Sequence, residues 1–248
     1  MDTAHFPIRT PREGWLRNGL LAGLVATAAM TLALALAYAI AAALGSPGGG
    51  TLGHWLWALT HNRLTEAVGG RPMLFVGLQL SMGLALSALY AGFAERHLHG
   101  PGWRRGVLFA LVPWLLSVVV FLPLVGGGLF GLALGAGPLP ALGNLVVHLV
   151  YGATLGAVYA IPETAGLDDT AEDRAFAVSA DRGAALGIVV GTLAGAGIGG
   201  LIIAAGGGTP LLPPGGLILG GALIGGAWGG VVGSLASLDP ATHRRRVR

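Results

Sequence analysis

The sequence predicts an all-α, polytopic membrane helix bundle of about six transmembrane helices, with an internal two-helix duplication and a C-terminal glycine-zipper hairpin. Three observations predict it. Of 248 residues, 54% are hydrophobic and only 10% charged, whereas soluble domains carry roughly 25% charged residues. The apolar residues fall in uncharged runs, each near the roughly 20 residues a membrane helix needs. The 45 glycines make helices slim enough to approach closely, which matters where lipid removes the hydrophobic drive between helices.

The first apolar run, 18–44, continues too far for a secretory leader, lacks a small-residue cleavage site and follows an acidic Asp2, so it reads as a retained helix. A loop rich in tryptophan and histidine, 45–72, comes next. Its segment GHWLWALTHNRLTEAV, 53–68, is too short and polar to span and is expected to lie along the surface as one interfacial helix. Further spans are expected over 73–94, 106–125, 140–161, 183–205 and 216–238. Between them lie a short basic turn (95–105), an uncharged glycine-rich link (126–139), an acidic loop (162–182) and a proline-rich turn (206–215). The link reads as an outer turn, the alternative being a dip into the membrane beside His148. The acidic loop reads as a solvated connector in which Thr170 caps a short helix. Four units follow: a four-helix membrane unit (1–161), the acidic cytoplasmic loop (162–182), a glycine-rich hairpin (183–238) and a basic cytoplasmic tail (239–248).

All 14 basic positions are arginine, and their bias sets the orientation. With both termini cytoplasmic, Arg9, Arg12, Arg17, Arg96, Arg104, Arg105, Arg174, Arg182, Arg244, Arg245, Arg246 and Arg248 lie inside, and Arg63 and Arg71 outside. The expected location is a plasma membrane crossed several times, with the N- and C-termini cytoplasmic. Trp15, Trp55, Trp57 and Trp103 fall at the interfaces, where amphipathic rings gather. Arginines at membrane edges serve orientation, so no nucleic-acid partner is expected.

Sliding LQLSMGLALSALYAGF, from Leu78, onto VHLVYGATLGAVYAI, from Val147, superimposes Gln79 on His148, Gly83 on Gly152, Leu86 on Leu155 and Tyr90 on Tyr159. Both copies run in the same direction, so a parallel duplication is expected. Four-residue spacing keeps Asn144, His148, Gly152 and Gly156 on one helix face, and Gln79 and Gly83 on another. An amide or imidazole facing hydrocarbon without a partner costs roughly 2–7 kcal/mol, so those faces meet protein. Two readings of Gln79, Asn144, His148, Tyr151 and Tyr159 stay open: interhelical hydrogen bonding, or the lining of a polar cavity. The later helices place Gly183, Gly187, Gly191, Gly195 and Gly199, then Gly221, Gly225, Gly229 and Gly233, at every fourth position. Close antiparallel packing is expected there, within one chain or against a second copy.

With no cysteine, disulfides and thiolate chemistry are excluded. The acidic loop lacks the ligand alternation of a calcium loop. The glycine strings lack the Lys-Ser/Thr of a phosphate loop. No carboxylate lies inside an expected span, which argues against an ion-coupled pump. His54 and His61 share a helical face but find only Glu66 as a third ligand, so no metal site is expected.

FLPLVGGGLFGL, from Phe121, followed by HLVYGATLGAVYA, from His148, resembles the YagU-like bacterial inner-membrane proteins, the matching residues being Phe121, Pro123, Leu124, Gly126, His148, Leu149 and Val150. The resemblance covers roughly 17–161 and implies a membrane-embedded four-helix unit without established chemistry. Gln79 stands where such proteins often carry histidine, so a paired-histidine site does not carry over. The expectation is a non-enzymatic structural or accessory membrane component with no cofactor. Its partners are the bilayer and, as an open alternative, a second copy or a larger membrane complex. The rival readings are permeation of a small solute or protons past Asn144, His148, Tyr151 and Tyr159, and a haem- or quinone-associated subunit.

Overall fold

Small residues face inward in this protein and large apolar ones face outward. In the computed structural model, which describes residues 14–161, 171–204 and 214–236, Ala22, Ala26 and Ala110 are fully buried while Leu32, Leu193 and Leu201 are about 70% exposed. Water would penalise that arrangement, and hydrocarbon does not, because lipid tails solvate leucine as well as another helix does. Among the described residues, six helices are long and apolar enough to cross a membrane: Trp15–Leu44, Pro72–His97, Gly102–Leu124, Leu139–Tyr159, Val178–Ala204 and Leu217–Ala236. No strand occurs among the described residues. The chain is a multi-pass membrane protein with an all-α bundle fold.

Helix α1 (Trp15–Leu44) is followed by two short helices, α2 (Gly50–Thr60) and α3 (Arg63–Gly70), and by α4 (Pro72–Leu89). Where one interfacial helix was expected, Asn62 makes two. Its side-chain Nδ2 donates to the Ala58 and Leu59 carbonyls, 2.9 Å each, at the end of α2. Its side-chain oxygen accepts from the Leu64 and Thr65 amides at 3.0 and 3.1 Å, completing a capping box with Thr65. Trp55 of α2 lies over Gly137, whose φ of 53° and crowded α-carbon both require glycine.

Helix α4 continues through a π turn, Tyr90–Ala94, and a 3-10 turn, Glu95–His97. Helix α5 (Gly102–Leu116) has Pro113 inside it and widens into a π turn at Ser117–Phe121. A proline lacks the amide hydrogen and pushes away the preceding carbonyl, and Pro123 repeats the problem, so a wide turn between the two relieves the ladder. The link to α6 (Leu139–Tyr159) folds over the ends of α5 and α6. It forms a 3-10 segment, Leu129–Leu134, with Gly127 N–H donating to the Leu122 carbonyl at 2.7 Å and Gly131 seated against Pro140.

Helix α7 runs from Ala171 to Ala204 and α8 from Pro214 to Ala236. The helix therefore begins well inside the stretch 162–182 expected as a loop; Thr170, expected as its cap, lies outside the described residues. Asp181 is the reason the difference matters. Gly14, before α1, has a left-handed φ of 77° and no capping side chain. Asp181 supplies the cap from another helix, accepting the Arg17 amide at 3.0 Å and also those of Gly14 and Leu16. A carboxylate at a helix N-terminus satisfies unpaired amides and complements the dipole. Asp181→Ala is expected to lower unfolding free energy by about 1–2 kcal/mol, with Asp181→Asn losing less; an SDS unfolding titration of the two variants tests it.

The helix pairs meet at glycine. A methyl at Gly23 would strike Ser87, and one at Gly19 would come 2.7 Å from the Ala91 Cβ. On α5 and α6, a methyl at Gly106 would come 2.8 Å from the Gly156 nitrogen and one at Gly156 2.9 Å from the Gly102 carbonyl carbon. On α7 and α8 the approach is backbone to backbone: Gly187 faces Gly229, Gly191 faces Gly225, and Gly195 faces Gly221.

Candidate functional site

The polar side chains of the candidate site and their partners lie on α1, α4, α5 and α6, and helical spacing decides where each points. On α6, residues 144, 148, 152 and 156 share a face, and glycines 152 and 156 press that face against α5. Asn144 therefore reaches α5, its Nδ2 donating to the Ser117 Oγ at 3.1 Å. Its Oδ1 is buried and lacks a hydrogen-bond partner among the described residues. His148, 8% exposed, holds the Asn144 carbonyl at 2.8 Å through Nδ1. A carbonyl only accepts, so Nδ1 carries the hydrogen and Nε2 is left as an acceptor. Tyr151 points the other way, where its fully buried hydroxyl donates to the Gly83 carbonyl of α4 at 2.6 Å.

On α4, Gln79 Nε2 donates to Thr31 Oγ1 of α1 at 3.0 Å. Thr31 in turn donates to the Thr27 carbonyl at 2.8 Å, and Thr27 to the Gly23 carbonyl at 2.7 Å. Threonine can return its hydroxyl to its own helix in this way, hiding a donor that lipid cannot satisfy. Tyr159 joins an aromatic group: its ring meets Tyr90 edge-on at 5.7 Å, and Tyr90 meets Phe109 at 5.3 Å. Edge-on rings at such distances are favourable beyond their burial.

The five expected site residues are thus engaged with different neighbours. Gln79 ties α4 to α1, Asn144 ties α6 to α5, and Tyr151 ties α6 to α4. His148 stays on its own helix, and Tyr159 packs in the aromatic group.

The pairing of two charged side chains escaped sequence reasoning. Glu95 and Arg105, 7% and 5% exposed, form an ion pair between the end of α4 and the start of α5. A single acid in an otherwise basic turn was the available signal, since a carboxylate there opposes the orienting charge and needs a structural reason. On α2 and at its end, His54 and His61 flank Trp57, with ring centroids 6.0 and 4.7 Å from it. Among the described residues, no three histidine or carboxylate side chains gather as metal ligands would.

No family model matches the chain, and no curated protein or solved structure matches it either.

Proposed function

We propose that the protein is a non-catalytic structural or accessory component of a bacterial plasma membrane, with both termini on the cytoplasmic side. The observation that carries the reading is the use of the intramembrane polar groups. Gln79, Asn144 and Tyr151 each bond to a neighbouring helix, and His148 bonds to the Asn144 carbonyl. Side chains spent on holding helices together stabilise a scaffold; a transport path keeps them facing water. The orientation follows from Arg17, Arg96, Arg104, Arg105 and Arg182 standing at one end of the helices and Arg63 and Arg71 at the other.

The scaffold reads as a duplicated helix pair. Gly19 opposes Ser87 and Ala91, Gly23 opposes Gly83 and Ser87, and Gly83 meets Thr27. In the second pair Gly102 opposes Gly156 and Ala160, Gly106 opposes Gly152 and Gly156, and Gly152 meets Ala110. The same register recurs contact by contact, which supports descent from one hairpin. The α7–α8 glycine face, filled within the chain, favours a hairpin in one subunit over pairing with a second copy.

On this reading His148→Ala lowers unfolding free energy by about 0.6–2 kcal/mol, the range of intramembrane hydrogen bonds. Liposomes holding the wild-type protein leak protons and small polar solutes no faster than empty ones. A wild-type flux above that of empty liposomes, abolished by His148→Ala, would sink the scaffold reading in favour of permeation.

A further inference from the structure

We propose that the groove between α1, α4 and α7 is a binding site for one anionic phospholipid, with an acyl chain along the groove and the phosphate against Arg96 and Arg182. The groove is open to the bilayer, holds about 530 Å³, and is lined by Trp15, Leu16, Ala85, Ala88, Leu89 and Ile188 with Ala185. That volume falls within the about 300–1,000 Å³ of small-molecule sites. It exists because alanines stand at three wall positions while larger side chains hold the helices around it: Leu16 and Leu84 pack with Ala184 beneath.

Charge decides the occupant. The wall helices each carry an arginine toward the same end of the groove. Arg17 lies within a turn of Trp15 on α1. Arg96 lies two turns beyond Leu89, past Phe93, and Arg182 one turn before Ala185 on α7. Among the described residues, the carboxylates of this region are already committed. Glu95 pairs with Arg105, and Asp181 takes the first amides of α1 and attracts Arg17. Arg17 is further occupied by Asn18, its Nε and Nη2 donating to the Asn18 Oδ1 at 3.3 and 3.2 Å. Two cations are left to face an anion. Arg182 is exposed, and Arg96 lies over the Phe93 ring at 5.5 Å with a buried Nε that has no hydrogen-bond partner among the described residues. Trp15 supplies the amphipathic ring that marks the headgroup level, and Gly92 lets that ring lie against α4. An apolar slot that ends in unspent basic side chains at the edge of a span fits a lipid of negative headgroup.

Native mass spectrometry of the full chain, released from detergent after incubation with phosphatidylglycerol or phosphatidylcholine of identical acyl chains, tests the site. Wild-type protein is expected to retain phosphatidylglycerol in clear preference. Each arginine near an anionic headgroup contributes about fivefold, so Arg96→Gln with Arg182→Gln brings retention down to the phosphatidylcholine level. Ala185→Phe, which fills the groove from an exposed position, reduces retention of both lipids. Equal retention of the two lipids by wild-type protein overturns the proposal, as does a headgroup preference that survives loss of both arginines. The wild-type comparison stands by itself if a variant fails to fold.

Discussion

Gly191→Ala is expected to disrupt the α7–α8 hairpin, whereas Gly197→Ala, six residues along the same helix, is expected to leave it intact. The two differ in what a single methyl group meets. At Gly191 it would fall on the Gly225 carbonyl oxygen, 2.8 Å from that carbonyl carbon and 3.0 Å from the Gly229 Cα. At Gly197 it would meet nothing within 4 Å. Overpacked side chains relax by changing rotamer at a cost of about 1–3 kcal/mol. Here the obstacle is backbone, so the helices themselves must part, and the loss lies at or above the top of that range. Separation at Gly191 is felt at its neighbours, because Gly187 and Gly195 sit at the same closeness to Gly229 and Gly221. Gly191→Ala with Gly195→Ala is therefore expected to cost more than either alone. At Gly197 the methyl group reduces backbone freedom in the unfolded chain and raises helix propensity by up to about 1 kcal/mol. Unfolding in SDS mixed micelles separates the cases. Equal stability of the two single variants would show that the close approach is not what holds the hairpin.

That pair of positions also shows what a sequence can disclose about such a fold. Gly183, Gly187, Gly191 and Gly195 repeat at every fourth residue, and so do Gly221, Gly225, Gly229 and Gly233. A period of four on two successive helices can bring those faces together in only a few registers, and the observed one pairs glycine with glycine throughout. The spans were legible for a similar reason: hydrocarbon thickness sets the length of an uncharged run, and the structure starts or ends each within a few residues of where charge appears. What was not legible depends on distant partners. Nothing near Asp181 indicates that it closes the amides of α1, 164 residues earlier in the chain. Four-residue spacing put Asn144 and His148 on one face, but it could not say that Asn144 would find Ser117, a residue in the π turn after Pro113. Gln79 and His148 superimpose in the aligned segments, yet Gln79 meets a threonine of α1 and His148 a carbonyl of its own helix. Periodicity assigns a side chain to a face; the facing helix assigns its role.

The Glu95–Arg105 pair is the place where removing one atom group is expected to have the other large effect. Both side chains are buried at the end of α4 and the start of α5, and the aromatic contact of Tyr90 with Phe109 lies one helical turn deeper. The seam between α1 and α6 closes differently, on Ala22 and Ala26, both fully buried. In the proposed duplication those alanines correspond to Arg105 and Phe109. Side chains of that bulk hold α4 and α5 further apart, and an ion pair then spans the gap. Glu95→Ala leaves a guanidinium in a site without its carboxylate. Breaking a buried pair from one side costs about 3–5 kcal/mol, because the remaining charge stays out of water and loses its counter-ion. Taking both charges away is a different experiment: Glu95→Leu with Arg105→Met removes the desolvation cost along with the attraction, and replacements of this kind are often neutral or stabilising. The double variant is therefore expected to recover most of what Glu95→Ala loses, and a double-mutant cycle in the same unfolding assay gives the coupling. If Glu95→Ala unfolds like the wild type, the pair is not desolvated in the membrane and cannot be what ties α4 to α5. If Glu95→Ala and the double variant lose stability equally, the charge is not the cause and packing around Arg105 is. The expected ordering, with the single variant far below the double, follows only if two opposite charges share one dry site.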